Sequence, residues 1–517
     1  MRKNSFGYPA KRSTNAPATF TAAALGAALL CLSSGAAFGQ SLRVGMLEDV
    51  DSLDPHRANT YVSRLVFASL CDSLVDISAD LKIAPKLALS WTTSADGRTL
   101  TFKLRPGVKF QDGEPFDAAA VKTNIERAMT LPESSRKSEL ASVQRVDVVD
   151  PLTVAFILKT PDAALLATLT DRAGMMLAPK TLADTGGVAR HPVCAGPYQF
   201  VERVQNDRIV LSKFAGYWDG AHYPLQKLVF TPIPDSTVRL ANLRSNNLDM
   251  IERLSPNDVA SVRKDPALQL MVASGLGYRG LTLNVGNGAR ANGPLKDLRV
   301  RQALALSIDR DALNQVAGGG TYPPANQGVP TSSPYHDKAI TTPKRDPEKA
   351  KALLKAAGHE RVGLDMLIGN DTSSSQIGEM IQAMAAEANI DIKLRPVDNP
   401  TLLSEGKAGR FDIMLLAWSG RSDPDGNLLN MAGCGGPLNY GQYCDKEVDA
   451  MLRDARQKSD PAARKALYDK AQETMAKNVE PVIYLFYQQF PFVLSRKIHG
   501  FAPFPDGLIR LRDVSLN

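Results

Sequence analysis

Hydrophobic residues recur at every second position in two stretches of the chain. From Thr99 to Leu104, Leu100, Phe102 and Leu104 fall on one side and Thr99, Thr101 and Lys103 on the other. Thr153–Leu158 repeats the pattern with Val154, Phe156 and Leu158. A period of two puts successive side chains on opposite faces of a pleated ribbon, so both stretches are predicted to be half-buried strands. Elsewhere the period lengthens to that of a helix. Asp297 reads as a cap followed by Val300, Ala303, Leu304, Ser307 and Ile308. Asp346-Pro347 opens another helix, since a proline in the first turn lacks only an N–H that the helix does not use. Its apolar stripe is Ala350, Leu353, Leu354 and Ala357, and Gly358 stops it. Asp460-Pro461 opens a third, carrying Leu467, Tyr468, Ala471 and Met475. These stripes are core. Loop-rich passages fall at 284–294 and 318–334. Strands and helices alternate throughout, which predicts an α/β protein.

The N-terminus breaks this pattern. Arg2, Lys3, Lys11 and Arg12 precede an apolar run, Ala22 to Leu32, and then the small residues of Ala37-Phe38-Gly39. The run is shorter than the ~20 residues a membrane span needs. Residues 1–39 therefore read as a secretory signal peptide, cleaved near Gln40 to release a soluble exported protein. Leu30 before Cys31 does not fit a lipid-anchoring motif. What remains exceeds the ~250–300 residues at which a single core stops growing. The formal charge is +7, but four of the 61 basic residues and none of the 54 acidic ones lie in the first 39 positions, leaving about +3. No run of Lys/Arg interleaves with aromatics, so nucleic acid is not expected as a partner.

Four cysteines follow the leader: Cys71, Cys194, Cys434 and Cys444. An even count in an oxidising compartment favours disulfides, with three connectivities open and free buried thiols as the alternative. Cys434 and Cys444 flank a Gly/Pro/Asn stretch suited to a small closed loop, which leaves Cys71 with Cys194. No C-x-x-C pair supports zinc or thiol-redox chemistry. Six scattered histidines lack ligand spacing, so neither a metal nor a cofactor is expected. Gly275-Leu276-Gly277-Tyr278-Arg279-Gly280 matches G-x-G-x-x-G, but Leu281–Val285 after it reads as a strand, where a dinucleotide site needs a helix. Ser134-Ser135-Arg136-Lys137 matches S-x-x-K without its S-D-N and K-T-G companions and reads as a solvated loop. There is no P-loop, no H-E-x-x-H and no G-x-S-x-G, so the chain is not expected to be an enzyme. A Ser-His-Asp site assembled from distant residues stays open as the alternative.

Ordered blocks over the rest of the chain resemble the family 5 extracellular solute-binding proteins, receptors of dipeptide, oligopeptide and nickel ABC importers. They are Ser52-Leu53-Asp54-Pro55; Pro85 to Trp91; Asp96-Gly97; Thr99 to Gly113; Ala195-Gly196-Pro197-Tyr198; Tyr217-Trp218; Arg299 to Leu304; Ile308-Asp309-Arg310; and Phe411-Asp412-Ile413 leading to Trp418. The resemblance implies an α/β two-lobed periplasmic-binding-protein fold of the large peptide-receptor class. It puts lobe I at 40–281 plus 490–517, with an extra subdomain at about 76–195, and lobe II at 282–489. It implies a monomer that closes on its ligand and then docks on membrane permease subunits.

The segment 418–427 is the foremost ligand-site candidate: Trp418 as an apolar wall, then Ser419, Gly420, Arg421, Asp423, Asp425 and Asn427. Dipeptide receptors of this family usually carry an Asp after the W-x-G, facing the peptide's amino group; here Arg421 stands there. The family's carboxylate-binding Arg precedes the helix read at about Ser375 to Asn389, where this chain has Asn370 and no Arg. The expected ligand is therefore acidic, modified or longer than a plain dipeptide, unless Arg421 merely pairs with Asp423 or Asp425. Asn59, Thr60 and Tyr61 on lobe I, and Asn326 and Gln327 in the 318–334 loop, complete the candidates. Other solutes (an opine, a sugar, a chelated metal), a periplasmic hydrolase and a chaperone-like role are the competing readings.

Overall fold

The computed structural model describes residues 40–517. The signal-peptide reading, with Cys31 and the four leading basic residues, lies outside the described residues.

The two alternating stretches are neighbouring strands. Leu100 pairs with Phe156 and Phe102 with Val154 in an antiparallel ladder. Ala88–Thr93 and Val143–Asp150 flank them to make a four-stranded sheet. One face packs on the helix Ala118–Thr130, where Phe102, Phe110, Val121, Ile125 and Phe156 share a core spanning Leu74 to Ala195.

The main sheet has ten strands: β1 (Ser41–Met46), β2 (Tyr198–Val204), β3 (Arg208–Lys213), β4 (Lys227–Pro232), β5 (Met250–Glu252), β6 (Leu268–Leu283), β7 (Val362–Gly369), β8 (Ile390–Val397), β9 (Ile413–Trp418) and β10 (Val482–Ser495). Their order is β8-β7-β9-β6-β10-β5-β1-β4-β3-β2. Parallel pairs lie toward both ends, β7 with β8 and β1 with β4, while the central pair β6/β10 is antiparallel. β6 and β10 are also the longest strands, at 16 and 14 residues. Each runs through two cores. Ala273 and Phe490, Phe492 and Leu494 join the core built on β1. Leu281, Leu283, Ile483, Leu485 and Phe486 join the core built on β7–β9. The protein is thus two lobes connected by one pair of crossing strands.

The predicted caps form. Asp297, Asp346 and Asp460 accept from the backbone N–H of Arg299, Lys349 and Ala463 at 2.8, 2.9 and 2.7 Å. Three expectations are corrected. The helix after Asn370 starts earlier, at Thr372, because Asp371 caps it, and ends at Ala386. The Gly275–Gly280 motif lies inside β6 rather than before a strand. The Ser134–Lys137 loop is not free in solvent: Arg136 is only 3% exposed and donates to the Ala58 carbonyl at 3.1 Å.

Both cysteine pairs are disulfides, Cys71–Cys194 and Cys434–Cys444. The first spans 123 residues and the second 10. On the chain-entropy account a loop of the first size constrains the unfolded chain by about 5 kcal/mol, and one of the second by about 3 kcal/mol. Replacing both members of a pair by serine should therefore lower the denaturation midpoint more for Cys71/Cys194 than for Cys434/Cys444. Guanidinium unfolding of the two double variants checks the order; the reverse order contradicts it.

Candidate ligand-binding site

The site begins where the crossing strands lose register. Ser274 faces Gln489 and Tyr278 faces Tyr487, so Gly275-Leu276-Gly277 bulges opposite the single residue Gln488. A bulge bends its strand and re-aims its backbone. Here it receives the end of β9 and the turn after it. Tyr278 pairs with Trp418, and Leu276 forms an isolated parallel bridge with Gly420. The approach is close enough to require glycine. A Cβ on Gly277 would sit 1.7 Å from the Trp418 carbonyl oxygen, and one on Gly420 2.2 Å from the Leu276 carbonyl carbon. Gly420 also has φ +85°, a left-handed conformation that favours glycine.

Asn427 holds this arrangement together. Its Oδ1 accepts from Trp418 Nε1 and from the Arg421 backbone N–H, both at 2.8 Å, and its Nδ2 donates to the Leu276 carbonyl at 3.3 Å. The loop thus presents Trp418, Ser419 and Arg421 from the crossing point toward the other lobe.

What they meet is a cluster of charge. Arg421 lies over the Trp418 ring, 4.6 Å from its centre, and its Nε reaches Asp171 Oδ2 at 3.3 Å. Arg64 lies 3.0 Å from the same oxygen and donates to Ser419 Oγ at 3.2 Å. Arg172 approaches Asp171 at 3.8 Å and donates to the Ala58 carbonyl at 2.7 Å. Arg136 donates to that carbonyl too and pairs with Glu139 at 2.5 Å. Four guanidinium groups therefore share two carboxylates. Burial opposes ionisation of Asp171, yet Arg64, Arg421 and Arg172 together hold its carboxyl well below the usual range. Burial, and repulsion by neighbouring arginines, bring Arg172 down to about 9 and Arg421 down to about 10. The Nε–H groups of Arg136 and Arg172 are buried without a hydrogen-bond partner among the described residues. An excess of buried positive charge is costly unless an anion compensates it.

The other candidates are placed as follows. Asp423 caps the helix Pro424–Ala432 and is held by both Nη atoms of Arg464, at 2.8 Å each. Asp425 is buried and held by two bonds from Arg456; burial pushes its carboxyl up to about 6. Neither pairs with Arg421, contrary to the rim-pair alternative. Gln327 is buried and bonds the backbone of Asp337 in both directions. Asn326 donates to the Ile340 carbonyl and accepts from the Tyr487 hydroxyl. Thr60 caps the helix Tyr61–Leu70 and bonds Asp51, which also receives the Asn59 N–H. Tyr61 stacks on Phe490 and donates to the Gly507 carbonyl at 2.5 Å. Asn370 is exposed at the end of β7. Arg64, Arg136, Asp171 and Arg172 were not candidates from sequence. They come from separate elements, and the Asp171-Arg172 dipeptide is their only local trace.

A mixed sheet shared by two lobes, with an arginine-rich seam at the crossing, defines a two-lobed binding protein. The chain belongs to the bacterial extracellular solute-binding proteins, family 5, whose model matches residues 82–439. Among curated proteins it is 31% identical over 479 residues to the glutathione-binding protein GsiB of Pectobacterium atrosepticum, covering 90% of this chain and 92% of that one. With GsiB of Escherichia coli O1:K1 it shares 30% identity over 507 residues, covering 95% and 98%. Among solved structures it superposes on the periplasmic binding protein DppA of Helicobacter pylori, complexed with the peptide STSA, with TM-score 0.85 and 26% identity over 93% of this chain and 98% of that one. It superposes on AgaA of A. tumefaciens R10, complexed with agropinic acid, with TM-score 0.84 and 26% identity over 92% and 99%.

Asn427→Ala should lower stability by about 1–3 kcal/mol, because it strands two part-buried donors, Trp418 Nε1–H and the Arg421 backbone N–H. Gly277→Ala should do at least as much. Gly363→Ala, where a Cβ meets nothing within 4 Å, is the neutral comparison. Thermal unfolding of the three variants checks this; a Gly277→Ala midpoint equal to that of Gly363→Ala contradicts it.

Proposed function

We propose that the protein is the periplasmic receptor of an ABC importer and captures an anionic, peptide-like solute between its lobes. The observation that carries this reading is the surplus of arginine around Asp171 at the Trp418–Arg421 loop. A guanidinium recognises a carboxylate with two parallel hydrogen bonds and keeps its charge at any physiological pH. The glutathione-binding relatives support the same charge type, because glutathione carries two carboxylates and one ammonium. An acidic opine shares the chemistry, and the likeness to the agropinic acid receptor keeps it as the second reading.

In this account the first 39 residues direct export and are removed. Lobe I comprises 40–281 with 490–517, including the subdomain at about 76–195; lobe II comprises 282–489. The lobes swing about the β6 bulge and Gln488, and the monomer in its closed form engages the permease. The protein binds its solute without transforming it.

Calorimetry with glutathione, an acidic opine and dialanine tests the charge preference. The acidic solutes should bind and the plain dipeptide should bind at least tenfold more weakly. A ligand at 100 times its Kd should stabilise the fold by about 2.7 kcal/mol. Arg421→Ala should weaken the acidic solute at least tenfold while leaving Asp171 paired with Arg64. A preference for dialanine, undiminished binding by Arg421→Ala, or cleavage of the solute contradicts the reading.

A further inference from the structure

The four-stranded sheet and its helix reach across to lobe II at two points. Asp171 meets Arg421 at 3.3 Å, and the Ala163 N–H donates to the Arg456 carbonyl at 2.8 Å. Both residues lie on one short segment. Between them runs the helical turn Leu165–Thr168. Leu165, Leu169 and Ala173 are buried in the same core as Phe102 and Phe156. The segment is therefore fixed to the four-stranded sheet and moves with it.

The receiving side is fixed as well. Arg456 lies in the last turn of the helix Lys446–Gln457, and the carbonyls of a last turn have no partner within their own helix. The Ala163 N–H supplies one from the other lobe. The Arg456 guanidinium grips Asp425, which follows Arg421 closely in the chain, so the Arg421 loop and this helix move as one body. Arg421 has no other carboxylate within ion-pair distance among the described residues. Its remaining contacts, the Gly420 carbonyl at 2.7 Å and the Trp418 ring, belong to its own loop. Asp171, by contrast, keeps Arg64 at 3.0 Å, on a helix whose Leu65 and Phe67 join the core built on β1. Parting the lobes strips Arg421 of its counter-ion and leaves Asp171 paired.

We propose that the segment from Ala163 to Asp171 is a latch that holds the two lobes together for part of the time before any solute arrives. Asp171 is its charged tooth and the Ala163 N–H its backbone tooth. Two polar contacts that compete with water hold a mixture of open and closed forms rather than one state. The four-stranded sheet thereby carries the surface on which lobe II closes. This rests on the reading of the protein as a receptor that closes, and it goes beyond that reading in giving closure a contact of the protein's own. An anion arriving beside Arg421 adds to that contact.

The test is hydrogen exchange at the Ala163 amide of the exported protein, without solute. In the wild type this amide should exchange at least threefold more slowly than an unprotected amide of its sequence. Asp171→Asn, whose side-chain oxygen can still accept from the Arg172 N–H, should remove most of that protection. Arg421→Gln should do the same from the other side. Exchange at Leu100 and Phe156, paired strand residues of the sheet beneath, should stay as in the wild type and shows that the variants are folded. Exchange of Ala163 at the unprotected rate in the wild type overturns the latch, whatever the folding of the variants. Protection that survives both substitutions overturns it too. These measurements use no solute, so they stand apart from the calorimetry. Protein that shows the protection and its loss, yet binds no acidic solute, keeps the latch and loses the anionic-solute reading.

Discussion

The close contact between the β6 bulge and the turn after β9 is the constraint on which the rest of the site depends. Backbone meets backbone at a distance that leaves no room for a Cβ at Gly277 or Gly420. The bulge lies in one of the two strands that run through both cores, so the loop carrying Trp418 and Arg421 is fixed to the crossing itself. A change of angle between the lobes must alter the distance from that loop to Arg64 and Asp171.

Electrostatics then sets what can be captured. Beyond residue 39 the chain is close to neutral, at about +3. The four arginines around Asp171 are therefore a local excess, not the expression of a basic protein. Two of them, Arg136 and Arg172, are almost fully buried and have an Nε–H without a hydrogen-bond partner among the described residues. Such a group is costly to bury without an anion to complete it, which is the ground for the proposed anionic ligand. The carboxylates of Asp423 and Asp425 illustrate the opposite case. Each is fully engaged by one arginine, and both serve to anchor the helix behind the loop.

Local patterns carried far in reading the fold from the sequence. The alternation at Leu100, Phe102 and Leu104 named one face of a sheet, and the Asp-Pro pairs at 346 and 460 named helix starts, because strand period and capping depend on adjacent residues alone. The site was legible only in part. Trp418 and Arg421 stood out against a family pattern, and the loop does lie at the crossing. Asn326 and Gln327 read in the sequence as polar loop residues; in the fold they are spent on the backbone of Asp337 and Ile340 and on Tyr487, a use that no sequence spacing signals. Arg64, Arg136 and Asp171 escaped notice because each looks like an ordinary surface charge until folding removes its water. The glycines at 275 and 277 were visible as a motif, but their reason, room for another strand's backbone, appears only in three dimensions.

The most direct measurement of the account is solution X-ray scattering of the exported protein with and without saturating glutathione. A ligand completing the arginine seam should draw the lobes together, so the radius of gyration should fall on addition of glutathione and stay unchanged with dialanine. An unchanged radius at a glutathione concentration where calorimetry shows saturation would contradict the claim that the seam couples anion capture to closure.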